Sequence, residues 1–175
     1  MVAIRTCELP RDALLRRYLD DRDAYTDCYV IKLARPVRHA EYVAAFYTTA
    51  VFKLERWLLS WLVARPSTDA EAISLACGEL ESFAAWNVEA RAPDQLLLAD
   101  FRGRTRSWLM STTLPGVQAT TLYFGSAVVT AVDGRTGQRK LGWTYRLLLG
   151  FHHLYSRVLL RAAANRLARS ISPTA

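Results

Sequence analysis

Cysteine and histidine are scarce in this chain of 175 residues, with three of each. Cys7, Cys28 and Cys77 form no C-x-x-C pair. An odd, scattered set argues against a disulfide framework and reads as buried or half-buried reduced thiols, which suits the cytoplasm. His39, His152 and His153, the last two adjacent, cannot compose a compact metal site, so neither metal nor cofactor is expected. Also absent are the G-x-S-x-G elbow, the Walker loop and the G-x-G-x-x-G fingerprint, which removes the commonest hydrolase, nucleotide and dinucleotide readings. No apolar run of membrane-spanning length escapes interruption. The most apolar stretch, 43–64, carries Lys53, Glu55 and Arg56 at its centre, and a span of about 20 residues excludes such charges. Glu8, Pro10, Arg11 and Asp12 fall where the apolar core of a secretory leader would lie. With no repeat and no Pro/Gly/Ser linker, the expectation is one cytoplasmic domain over 1–175, whose first 19 residues form a helical extension.

Acidic side chains are missing beyond Asp133, whereas Arg135, Arg139, Lys140, Arg146, Arg157, Arg161, Arg166 and Arg169 follow it. The net charge of +7 therefore belongs to the C-terminal element. Arginine outnumbers lysine 20 to 3, a bias that codon usage alone explains.

What is present has the grammar of an α+β chain. Pro10 opens a short helix through Tyr18, and Tyr25 to Leu33 alternates as a strand. From Arg38 to Val63, apolar residues such as Val43, Tyr47, Val51, Leu54, Trp57 and Trp61 recur at helical steps. The pair Thr48-Thr49 is a point where that helix splits. Ser67 or Thr68 with Glu71 resembles a capping box for a further helix to about Cys77. Strands are then expected over 82–90, 95–99, 105–113 and 120–132; their short connections favour an antiparallel meander. A last helix over 143–168 extends about 39 Å and needs the breadth of that sheet to cover it.

At 100° per residue, Leu147, Leu148, Phe151, Leu154, Tyr155, Val158, Leu159 and Ala162 form one apolar arc of this helix. Arg146, His153, Arg157 and Arg161 oppose it. Arg166 and Arg169 share the arc's angles, so its buried contact is expected to end near Ala163. A weaker stripe, Leu149, Leu160 and Leu167, offers contact with the 43–63 helix or a self-association surface for a homodimer.

Three segments carry a resemblance: Tyr25-Thr26-Asp27-Cys28-Tyr29, Leu54-Glu55-Arg56-Trp57 and Phe151-His152-His153-Leu154. Over residues 20 to 168 the chain resembles a bacterial family of unknown function in the SRPBCC (START-like, helix-grip) superfamily. That resemblance implies a curved antiparallel sheet around the long C-terminal helix, with two or three helices inserted after the first strand. It also implies a cavity between sheet and helix, which in the superfamily holds apolar molecules in binders and in some cyclases or hydrolases.

The candidate ligand-binding residues are Trp86, Arg106, Trp108, Met110, Tyr123, His152 and Tyr155. Arg102, Arg104 and Arg106 share a strand face with Trp108 and Met110, which suits either a cavity with a cationic mouth or a strand wet at its start. His152, at the flank of the arc, is a polar ligand contact, an acid/base group, or a surface histidine. Asp27 is placed to orient an Arg or His, or to make a plain surface salt bridge. The loop 134–140 offers three cations to an anion or to water. Three functions fit these observations: binding an apolar or amphipathic small molecule, a cyclase- or hydrolase-type reaction in the same cavity, and attraction of nucleic acid or an anionic surface by the basic helix. The last lacks aromatics interleaved with its cations.

Overall fold

Ten alternating residues, Ala24–Leu33, form the long strand β2, preceded by the two-residue β1 (Arg5–Thr6). A meander follows: β3 (Ser82–Phe83), β4 (Trp86–Ala92), β5 (Gln95–Asp100), β6 (Thr105–Thr113) and β7 (Thr120–Val129). These make one antiparallel sheet of seven strands in the order β1-β2-β7-β6-β5-β4-β3. The computed structural model describes residues 3–20, 24–54, 67–114, 116–129 and 143–169, the last span with side chains from residue 153 onward. The expectations for Trp57, Trp61, the 134–140 loop and the side chains of Leu147, Leu148, Leu149, Phe151 and His152 lie outside the described residues.

Between β2 and β3 come the helices α1 (His39–Tyr47), a helical stretch over 50–54, and α2 (Asp69–Cys77). The break after α1 falls at the threonine pair. Thr48 Oγ1 donates to Ala44 O at 2.7 Å, and Thr49 Oγ1 donates to Phe46 O while accepting from Phe52 N. Such side chains compete with the backbone for the helix's own bonds. The expected capping box is present at Thr68 and Glu71, and Gly78 closes α2 in the left-handed conformation. The chain ends its described part in the 27-residue helix α3 (Trp143–Arg169). It packs on α1, β2 and β7, so the architecture is α+β and helix-grip, with a long C-terminal helix on an antiparallel sheet.

Three local expectations need correction. The strand expected over 82–90 is two strands: Ala84, at φ 52°, and Ala85 form a tight reversal that pairs Phe83 with Trp86. No glycine announces that turn. The N-terminal helix is a single 3-10 segment, Leu14–Tyr18, and β1 is a strand the pattern did not reveal. The buried stripe of α3 is also different. Ser156, Leu159, Leu160, Ala163, Ala164 and Leu167 are buried, while Leu154 and Val158 are exposed at 63% and 41%. Nor does the contact end at Ala163. Leu167 is buried, Arg166 Nη1 donates to Thr48 O at 3.0 Å, and Arg35 Nη1 donates to Leu167 O at 2.8 Å. Arg166 is exposed at the flank of the stripe, and its guanidinium reaches across to an open carbonyl at the end of α1.

Both faces of the sheet are buried. On one side Tyr29, Ile31, Leu96, Leu98, Leu109, Leu122 and Phe124 pack with the helices. On the other, Cys28, Leu97, Trp108, Met110 and Ala127 pack under Leu9, Ala13 and Leu15 of the N-terminal segment. Gly125 lies where that segment presses hardest. A Cβ there would sit 2.8 Å from Leu15 Cδ2 and 2.9 Å from the Trp108 ring, so a side chain would have to push both aside.

His39 opens α1 with its ring edge-on to Tyr42 and Nδ1 3.2 Å from Ser111 Oγ. Burial, and then the charge of Arg91, pulls its pKa down to about 4 from 6.5. The fold holds His39 neutral, so below pH 6.5 the unfolded chain binds a proton that the native chain refuses. Stability is therefore expected to fall as pH drops from 6.5 through about 4, by at most about 3 kcal/mol. Urea denaturation at stepped pH checks this. His39→Phe, which cannot titrate, should flatten the slope over that window.

Candidate functional site

The pleat decides which side chains of β6 and β7 meet the helices. Thr105, Ser107, Phe124 and Ser126 face α3, and between them lies a cavity of about 220 Å³. Phe46, Phe52, Trp86, Tyr155 and Leu159 complete most of its wall. Two polar groups there are buried without a hydrogen-bond partner among the described residues, Trp86 Nε1 and Ser156 Oγ. Ser156 is fully buried, though it lies on the inner stripe of a helix whose other members are apolar.

Of the seven residues expected to gather in this cavity, Trp86 and Tyr155 do line it. Arg106 borders it, yet its guanidinium lies on the far face. There Nε donates to Tyr18 Oη at 2.7 Å and to Glu89 Oε2 at 2.5 Å, and the group stacks over the Tyr18 ring. Trp108, Met110 and Tyr123 belong to that far face too, under the N-terminal segment. Trp108 is fully buried and donates its indole N–H to Gln95 Oε1 at 2.9 Å. Arg106, Trp108 and Met110 do share a strand face, but it points away from α3. The side chain of His152 lies outside the described residues.

A second constellation forms where α3 crosses β2. Tyr25, Asp27 and Tyr29 alternate onto the helix-facing side of the strand, and His153 comes down onto them. Its Nε2 is 3.0 Å from Tyr25 Oη; its Nδ1 is 2.5 Å from Tyr29 Oη and 3.4 Å from Asp27 Oδ2. The Asp27 side chain is only 3% exposed, so it is not the surface salt bridge that a carboxylate early in a strand suggests. Its other oxygen accepts from Ser126 N at 3.1 Å and from Ser126 Oγ. Burial first, and then the charge of Asp27, raises the pKa of Tyr29 well above that of an ordinary phenol. Tyr29 therefore stays protonated and serves as a neutral hydrogen-bonding group.

The expected assignment of His153 to the wet face, with Arg157 and Arg161, is thus corrected. The available signal was adjacency of two aromatic hydroxyls and a carboxylate at positions 25, 27 and 29, which one strand face must bring together. With the proton on Nδ1, that nitrogen donates to Tyr29 Oη and Nε2 accepts from Tyr25 Oη. The Asp27–His153–Tyr25 chain can thus pass a proton between a phenol and an imidazole, with Tyr29 Oη the direct partner of Nδ1 and Asp27 close beside it. It opens on a cleft of about 520 Å³ at the edge of β2, which Tyr25, His153, Arg16 and Cys7 help to line.

No group of His, Cys, Asp and Glu that could hold a metal ion occurs among the described residues. Among them, too, no helix is long and apolar enough to cross a membrane. No family model and no curated protein matches this chain. Among solved structures, it is similar to CalU16 from Micromonospora echinospora, with 13% identity, a TM-score of 0.35, and coverage of 95% of this chain and 92% of that one.

Asp27→Ala would strip Ser126 of its acceptor inside the sheet and is expected to cost about 2–4 kcal/mol in urea denaturation. His153→Gln, at a position where the imidazole is 39% exposed, should cost less than half of that. Equal losses would mean that Asp27 is not the anchor of the cluster.

Proposed function

We propose that this chain is a single cytoplasmic domain that binds an apolar or amphipathic small molecule between the sheet and α3. One observation carries the reading: Trp86 Nε1 and Ser156 Oγ, both buried and both without a partner among the described residues, border one aromatic cavity. A buried donor left unsatisfied costs roughly 1–3 kcal/mol, which a ligand acceptor between the two would recover. The cavity, at about 220 Å³, is smaller than the sites that take drug-sized molecules. It suits a one- or two-ring compound carrying a carbonyl, carboxylate or phenolic oxygen.

The test uses 1-naphthoate and 2-naphthol as probes, followed by ligand-observed NMR, with native mass spectrometry of freshly purified protein. Saturable binding is expected. Ser156→Leu, which fills the cavity, should weaken it by at least about tenfold, and Trp86→Phe severalfold. Probes that bind Ser156→Leu as well as the parent would sink the proposal. So would the joint absence of a co-purified molecule and of any saturable probe.

A second reading, an enzyme of cyclase or hydrolase type, is favoured by the Asp27–His153–Tyr25 chain. Ser126, which fixes Asp27, also borders the sheet–helix cavity, so the proton-carrying group and the binding cavity are neighbours. Hydrolysis of p-nitrophenyl acetate should then fall at least about tenfold in His153→Gln. An unchanged rate would leave binding as the sole function.

A further inference from the structure

Cys7 and Cys28 are far apart in sequence but meet across the edge of the sheet. The pairing of β1 with β2 sets Arg5 opposite Val30 and Thr6 opposite Tyr29, and the same register places Cys7 opposite Cys28. Cys7 N donates to Cys28 O at 3.0 Å, so the two are a directly hydrogen-bonded cross-strand pair, for which the Cα atoms stand about 5.5 Å apart. That separation lies inside the range a disulfide spans, and the two Sγ atoms are already 3.1 Å from each other. We propose that Cys7 and Cys28 are a redox pair whose disulfide locks the N-terminal segment to β2 beside the Asp27–His153 cleft.

The two sulfurs are not equivalent. Cys28 is buried, whereas Cys7 is half-buried, and both line the 520 Å³ cleft through which a small oxidant can reach them. The hydrogen bond shared with Cys28 lowers the pKa of Cys7 against the opposing effect of burial, while that same bond, and then burial, raise the pKa of Cys28. Cys7, the more exposed of the two sulfurs, is the one a small disulfide reaches first, which makes it the attacking group and Cys28 the resolving thiol.

With oxidised glutathione as the low-molecular-weight disulfide, the Cys7 thiolate attacks one of its sulfurs. A mixed disulfide forms and the first glutathione thiolate leaves. Cys28 then gives up its proton and attacks Cys7 Sγ, expelling the second glutathione thiolate, which takes up that proton. Two protein thiols have been oxidised and one glutathione disulfide reduced. Cys77 is exposed and stands apart from this pair.

The experiment uses Cys77→Ser protein, fully reduced and then exposed to oxidised glutathione. Expected are loss of both remaining thiols, no retained glutathione by mass, a proteolytic fragment joining Cys7 to Cys28, and a Tm raised by about 5–10 °C that dithiothreitol reverses. Cys28→Ser in the same background should stall as the glutathione adduct of Cys7. The proposal is overturned if both thiols still react with maleimide after oxidation and denaturation. It is equally overturned if glutathione stays on Cys7 while Cys28 remains reduced.

Discussion

The side-chain amide of Gln95 clamps the N-terminal segment to the sheet. Its Oε1 accepts from both Leu14 N and the Trp108 indole at 2.9 Å, and its Nε2 donates to Asp12 O at 3.0 Å. A 4%-exposed amide with every one of these bonds made is affordable in a core; one of them missing would leave a polar atom stranded among Leu15, Leu97 and Trp108. Because that clamp holds, the sheet has two buried faces instead of one. The far face then takes the bulk of Trp108 and Met110, while on the near face the small Ser107 and Ser126, set among Leu109, Leu122 and Phe124, leave a space beneath the helix.

This two-sidedness explains what the sequence could and could not say. Alternation along 105–113 identifies correctly that Arg106, Trp108 and Met110 share a face and that Ser107 and Leu109 share the other. Period two gives parity but not direction, and when both faces are buried neither set is polar enough to mark solvent. The long helix posed the same difficulty in angular form. The observed inner stripe of Ser156, Leu159, Leu160, Ala163, Ala164 and Leu167 is turned by roughly 140° from the arc of larger apolar residues, at 100° per residue. Small residues win that side because α1 and the sheet both approach closely, and Leu154 and Val158 are left outside. The capping box, the split at Thr48-Thr49 and the strand at 24–33 were legible because each depends on a few neighbouring residues. The hairpin at Ala84-Ala85 was not, since its left-handed alanine is imposed by the strands on either side.

The same rotation brought the Asp27–His153 pair into being. A histidine at position 153 lies at the angle of the inner stripe, where the upper part of β2 presents a carboxylate flanked by two tyrosines. Sequence alone offered Asp27, as a carboxylate to orient an Arg or His or to make a surface salt bridge, and separately His152, the neighbour of the ring that Asp27 meets. Through Ser126, Asp27 joins the strand that holds this pair to the wall of the aromatic cavity, so the two clefts share one rigid partition.

The sheet order has a consequence for how the protein assembles. Strands β4 to β7 are joined by short reversals and can pair as each hairpin closes. Strand β2 has β1 as a local partner but must find β7 roughly a hundred residues further along the chain, and that pairing waits until a large loop has been closed. Asp27, Tyr25, Tyr29 and Cys28 all ride on β2. The proton-carrying cluster is thus assembled only when this long-range pairing closes, and the half-folded meander holds Trp86 but not Tyr25, Asp27 or Tyr29.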